Sequence, residues 1–191
     1  MQPTKEGKIS VSVMCSDLMN LERDIKQLER NGVDYLHVDV MDAHFVPNLT
    51  FGVDFIAAMH RVTKLPLDIH LMVEHPLPIM EAMDIRPGDR ISLHVELGEQ
   101  LHELAKAVRA RGAQFGLVVN PSTPVEALTP YLDEIEWVIL MLVQPGFAGA
   151  KLIDGILDKV AAARRFLDEH GHPETEISVD GSVSCERARL M

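Results

Sequence analysis

A chain of 191 residues, 47% of them hydrophobic, is long enough to bury a sizeable core and too apolar to remain disordered. Lysine and arginine number 18 against 29 acidic residues, and the formal charge of -11 argues against nucleic acid or an anionic membrane as a partner. An anionic small molecule would therefore have to be held locally, by backbone amides or by a metal ion.

The remaining composition points the same way. Cys15 and Cys185 are too few for a disulfide framework, and the opening MQPTKEGK is too polar for a signal peptide. No apolar run approaches the roughly 20 residues of a membrane helix. A cytoplasmic protein is expected, with residues 1–191 forming a single (β/α) barrel domain for the reasons that follow.

Short β-rich runs alternate with helical segments along the chain. The first run, Lys8 to Met14, carries Ser12 near its end. Leu18, Leu21, Ile25 and Leu28 follow at helical spacing, and Asn31-Gly32 stops that helix. The second run, Asp34 to Val40, opens the stretch YLHVDVMDAHFVPN. Its alternation sets His37, Asp39 and Met41 on one face and Leu36, Val38 and Val40 on the other. The aliphatic set would pack outward against helices and the polar set would point inward. The third run, Pro66 to Met72, carries His70, with Asp68 two residues before it, and the fourth is Arg90 to Val95.

Leu101, Leu104, Ala105 and Val108 then predict a helix closed by Gly112, and Gln114 to Val119 is the fifth run. Thr123, Pro124 and Glu126 read as the N-cap, first position and capping-box partner of another helix. The sixth run, Glu136 to Val143, leads through QPGFAGAK into a helix over Asp154 to His170, and Glu176 to Asp180 is the last run. Near-continuous apolar strands such as FGLVV and WVILMLV, each followed by a helix, require a parallel sheet covered by helices. That leaves an open doubly wound sheet or a (β/α)8 TIM-type barrel. Polar side chains at the C-terminal ends of several strands favour the barrel, where those ends converge on one mouth, and no G-x-G-x-x-G turn follows the first strand.

His37, Asp39, His70 and Asp180 form the candidate metal set. Two imidazoles with two carboxylates suit one divalent ion, be it Zn, Mn, Fe, Co or Mg. Met41, Met72 and Met141 occupy inward positions beside the set and form a soft apolar cushion. In QPGFAGAK, Gly146, Phe147, Ala148 and Gly149 allow backbone amides to turn toward a phosphate, aided by the dipole of the helix behind them, and Gly181 with Ser182 adds further donors. His60, His75, His94 and His102 are read as surface or structural.

HVDVMDAHFVPN, DIHLMV, VQPGFAG and VDGS resemble the ribulose-phosphate 3-epimerase family, and Met14-Cys15, GFAG and DGS are similar to its allulose-6-phosphate 3-epimerase branch. The resemblance, from Lys8 to about Ser184, implies a (β/α)8 barrel that inverts C3 of a ketose phosphate with a bound divalent metal. It implies His37, Asp39, His70 and Asp180 as ligands, the two aspartates as acid and base, and Ser12, His70, the three methionines, Gly146 to Gly149, Gly181 and Ser182 as substrate contacts. The chemistry fits these residues on its own terms, since inverting a carbon beside a ketone needs a base on one face and an acid on the other. The partner is then a small sugar phosphate.

Val11, Ala43 and Ala150 replace a proline, a glycine and a glutamine of the family pattern, and Ala43 would be strained at positive φ. The sequence stops at Arg189-Leu190-Met191, where the family continues to an eighth strand and its helix. A C-terminally incomplete barrel is expected, its exposed edges inviting homo-oligomers. A catalytically weak sugar-phosphate binder is the alternative function. A related phosphate-binding decarboxylase ranks last, because no inward lysine stands at a strand end.

Overall fold

The apolar runs pair edge to edge in the order in which they occur. The computed structural model describes residues 7–188. It contains β1 (Ser10–Ser12), β2 (Tyr35–Met41), β3 (Leu67–Met72), β4 (Arg90–His94), β5 (Gln114–Val119), β6 (Trp137–Met141) and β7 (Glu176–Asp180). They form one parallel sheet in the order β1 to β7. Parallel neighbours require crossovers, and these are α1 (Leu21–Arg30), α2 (Val53–Val62), α3 (Pro76–Ala82), α4 (Leu101–Arg109), a 3-10 run (Val125–Glu134) and α5 (Ile156–Glu169). The short α6 (Cys185–Ala188) follows β7.

The sheet curls. In a flat sheet, six strand spacings of about 4.8 Å would leave β1 and β7 roughly 29 Å apart. Instead Glu176, at the start of β7, lies 2.6 Å from Lys8 just before β1 and 2.6 Å from Arg90 at the start of β4. At the other end, Asp180 of β7 lies 3.9 Å from the His37 ring of β2. Seven strands with helices outside give the TIM-type barrel architecture, with β1 and β7 as the sheet edges among the described residues. The opening MQPTKE and the closing Arg189-Leu190-Met191 lie outside the described residues, and with them the expectations placed on the two ends.

Period-two alternation sorts the core into an outer and an inner part. Leu36, Val38, Leu67, Ile69, Leu71, Ile91 and Leu117 point outward and share one buried cluster with Ile25, Ile56, Leu104, Val108 and Leu167 of the helices. Inside, Val118, Trp137, Ile139, Met141 and Val143 form one cluster, and Met41, Val46 and Met72 another. Gly116 is glycine for the first of these, because a Cβ there would meet Trp137 Nε1 at 2.3 Å.

Two local expectations are corrected. Leu18 precedes α1 and is 52% exposed, so the helix begins at Leu21 and only Ile25 of the expected stripe is fully buried. Thr123 caps no helix. The segment after β5 is a 3-10 run with Pro130 inside it, which removes the amide an α-helical ladder needs, and the Thr123 hydroxyl donates to Glu96 instead.

Candidate functional site

Register places the polar side chains in layers. Ser12 pairs with His37, Asp39 with His70, Met41 with Met72 and Met141 with Asp180. Paired residues of parallel strands point to the same face, so one inward choice on β2 propagates to β1 and β3. His37, Asp39 and His70 are buried, while Asp180 is half-buried at the mouth.

One ligand atom from each of His37, Asp39, His70 and Asp180 lies within 4.8 Å of the others. His37 Nε2 is 3.2 Å from Asp39 Oδ1 and 3.9 Å from Asp180 Oδ2. His70 Nδ1 is 3.3 Å and 3.8 Å from the same two oxygens, and it is buried without a hydrogen bond among the described residues. Two imidazole nitrogens facing two carboxylate oxygens is a donor set that fits one divalent cation.

Both imidazoles are engaged from behind. His37 Nδ1 is 2.9 Å from Asp68 Oδ2, which also accepts the Ser10 hydroxyl at 2.7 Å. His70 Nε2 is 2.9 Å from His94 Nε2. Ser12 Oγ donates to Asp39 Oδ2 at 3.1 Å, and the Thr50 hydroxyl donates to the Asp39 carbonyl. Burial pushes the His37 pKa down, but the Asp68 and Asp39 carboxylates outweigh it and hold the ring well above its usual range. Burial likewise raises the Asp39 carboxyl, and the His37 ring beside it more than reverses this, leaving it far below the usual range.

A cleft of about 740 Å³ opens over this cluster, lined by Ser12, Met41, Met72, Met141 and Phe147 among others. The three methionines are buried at 3%, 1% and 2% exposure in that order, as inward cushion positions should be. Phe147, Ala148 and Gly149 are exposed on the β6 loop, where Gly146 and Gly149 take φ of 117° and 75°. Asn48 Nδ2 donates to the Gly146 carbonyl at 2.6 Å, joining the loops after β2 and β6. The expected helix dipole is corrected. α5 starts at Ile156 behind Gly155, six residues beyond Ala150, so the loop's own amides are what it offers. Gly181 has φ 94°, and a Cβ there would stand 2.3 Å from Val143 Cγ2. Ser182 Oγ is engaged by Arg187 Nη1 at 2.8 Å. Ala43 does adopt positive φ, at 61°.

Ser10, His94 and Glu96 were not expected in this cluster, and Asp68, inward by its spacing from His70, was left out of the ligand set. Asp68 shares His70's phase on β3, which was the available signal. His94 shares the phase of Ser92 on β4, but nothing local shows that β4 brings it against His70. The other unassigned histidines behave as structural or surface groups: His60 is buried 3.1 Å from Asp89, and His75 and His102 are exposed.

Residues 8–191 match the model of the ribulose-phosphate 3 epimerase family. The chain is 40% identical over 184 residues to a ribulose-phosphate 3-epimerase of Bacillus subtilis (strain 168), covering 96% of this chain and 85% of that one. It is 39% identical over 177 residues to the protein of that name in Treponema pallidum (strain Nichols), covering 93% and 81%. With the Rhodobacter capsulatus protein of that name it shares 38% over 184 residues, covering 96% and 79%.

Proposed function

Because this chain belongs to the ribulose-phosphate 3-epimerase family, a family of isomerases, we propose that it inverts C3 of a pentulose phosphate, interconverting ribulose 5-phosphate and xylulose 5-phosphate. The observation that carries this reading is the meeting of Asp39 from β2 and Asp180 from β7 in one cluster with two imidazoles. A base and an acid are thereby available from opposite sides of the mouth.

Asp39, held ionised by the His37 ring, takes the C3 proton from one face. The C3–H electron pair moves into the C2–C3 bond as the C2 carbonyl becomes an enediolate. Asp180 returns a proton to C3 from the other face, and the enediolate collapses to the ketone. In the reverse direction the two aspartates exchange roles. One proton leaves carbon and one arrives, so no redox partner is needed. A divalent cation held by His37, Asp39, His70 and Asp180 would supply Lewis-acid stabilisation of charge on the carbonyl oxygen, worth several kcal/mol. The methionines keep water from the reacting carbon, and the amides of Gly146 to Gly149, with Gly181 and Ser182, receive the phosphate.

The test is solvent deuterium incorporation at C3 of ribulose 5-phosphate, before and after chelation. Exchange that disappears on chelation and returns with a divalent metal is expected. Phosphate binding with no exchange at C3 would replace this reading with that of a sugar-phosphate binder. Allulose 6-phosphate, run in parallel, separates the branches, and faster exchange on it would move the assignment to the hexulose phosphate.

A further inference from the structure

His70 reaches the proposed cation through Nδ1, which leaves Nε2 to be accounted for. Nε2 of His70 and Nε2 of His94 are 2.9 Å apart, with the rings stacked at 24° and their centroids 5.0 Å apart. Both rings are fully buried. At that distance one nitrogen carries the hydrogen and the other the lone pair. His94 Nδ1 faces Glu96 Oε2 at 3.4 Å. His70 Nδ1 faces Asp39 Oδ1 at 3.3 Å and Asp180 Oδ2 at 3.8 Å, but His37 Nε2 stands against both of those oxygens as well, at 3.2 and 3.9 Å, so it is Glu96 that breaks the tie. If His94 gave its Nε2 proton to the pair, its bare Nδ1 lone pair would confront an anion, and the proton of His70 would sit on Nδ1, toward Asp39. If His70 donates, His94 carries its hydrogen on Nδ1, toward Glu96, and His70 Nδ1 is a free lone pair.

We propose that His94, oriented by Glu96, is a positioning residue that locks His70 in the Nε2–H tautomer and so keeps Nδ1 open for the cation. The inference rests on the metal reading of the cluster given above. Supporting geometry extends outward. Thr123 donates its hydroxyl to Glu96, and Lys159 Nζ binds the carbonyls of Asn120 and Thr123 at 2.6 Å each, fixing the loop that carries Thr123. Phe45 closes the other side of the His94 ring at 4.6 Å between centroids. The His94 ring facing it and the Thr123 hydroxyl outweigh burial and hold the Glu96 carboxyl at about 2, so Glu96 is an anion near neutral pH. The two ligand histidines thus use different partners, His37 a carboxylate directly and His70 a carboxylate through a second ring.

The test compares the unaltered protein with His94→Gln, His94→Leu and Glu96→Gln. In the metal-free proteins, two-bond proton–nitrogen correlation reports which nitrogen of His70 is protonated, and Co(II) affinity is read by competition with a chelator. Gln in place of His94 still offers an oxygen to His70 Nε2–H, so the Nε2–H tautomer and near-normal affinity are expected. Leu removes the acceptor, so mixed tautomers and an affinity about 10- to 100-fold weaker are expected. Glu96→Gln, on the partly exposed second layer, keeps the fold and removes the anion, so partial loss of the tautomer preference is expected. A wild-type tautomer and affinity in His94→Leu would overturn the proposal, as would equal losses in the Leu and Gln variants, which mark a packing role. If the unaltered protein bound no Co(II), the metal reading would fail, while the tautomer measurement, made without metal, would still judge His94.

Discussion

Both ends of this barrel bury charge, and they do it in opposite ways. At the floor, the Arg90 guanidinium lies 4.4 Å over the Tyr35 ring and 5.0 Å from the Trp137 ring, donates to Gln114 at 2.8 Å and to Glu176 at 2.6 Å, and is 6% exposed. Glu176 takes Lys8 on its other oxygen. Each charge there faces its opposite. At the mouth, Asp39, Asp68 and Asp180 crowd two imidazoles, and Asp68 Oδ1 and His70 Nδ1 are buried without a hydrogen bond among the described residues. Burial of charge alone does not mark a site. What distinguishes the mouth is an excess of lone pairs over protons, which only a cation or a substrate relieves. The floor is closed electrostatically and should answer to stability, whereas the mouth should answer to turnover.

The strongest way to break this contrast is at the mouth. Asp180→Asn removes one of the two proposed proton-transfer groups and should lower kcat by about 10²- to 10⁴-fold. It also relieves carboxylate crowding, so the melting temperature of the metal-free protein should hold or rise. Metal content measured alongside separates lost proton transfer from lost ligation. Normal turnover, or a variant that unfolds, would erase the distinction between the two ends.

Arg90→Met is the converse experiment at the floor. It leaves Glu176 without one of its two cations and strips the donor from Gln114. Breaking a buried ion pair costs about 3–5 kcal/mol, and because Glu176 is partly exposed and keeps Lys8, the lower end applies. Denaturant unfolding should show that loss, while C3 exchange by the folded protein stays at the wild-type rate. A variant of normal stability but impaired exchange would place Arg90 in the site and dissolve the comparison.

How much of each end the sequence disclosed follows from what alternation can and cannot encode. Period two tells which side of a strand a residue faces, which sufficed for the strands and for His37, Asp39, His70 and the three methionines. It does not tell which neighbours a curled sheet brings together. His94 and Asp68 were thus legible as positions on strands but not as contacts of His70 and His37, and Arg90 stacking between Tyr35 and Trp137 depends on three strands at once. Thr123 misled for a related reason. Its capping pattern is local, but the hydroxyl is claimed by Glu96, 27 positions away in sequence, and Pro130 denies the helix that a cap would start.

The smallest expected effect sharpens the floor further. Burial raises the Glu176 carboxyl, but the hydrogen bonds from Lys8 and Arg90 more than compensate, so its folded pKa lies below the ordinary value of 4.5. Between those two values the unfolded chain binds the proton more readily than the folded one, so this stabilisation is complete above about pH 4.5 and is lost as pH falls through the folded value. Glu176→Gln removes the charge and with it this part of the slope. The variant should be less stable than the parent near neutrality by about 1 kcal/mol or less, since the side chain is 31% exposed and screened by water. The two stability curves should then converge as the solution is acidified below pH 4.5. Curves that stay parallel to low pH would mean that Glu176 holds the floor through packing and not through its charge, and the electrostatic contrast between the two ends would then rest on Arg90 alone.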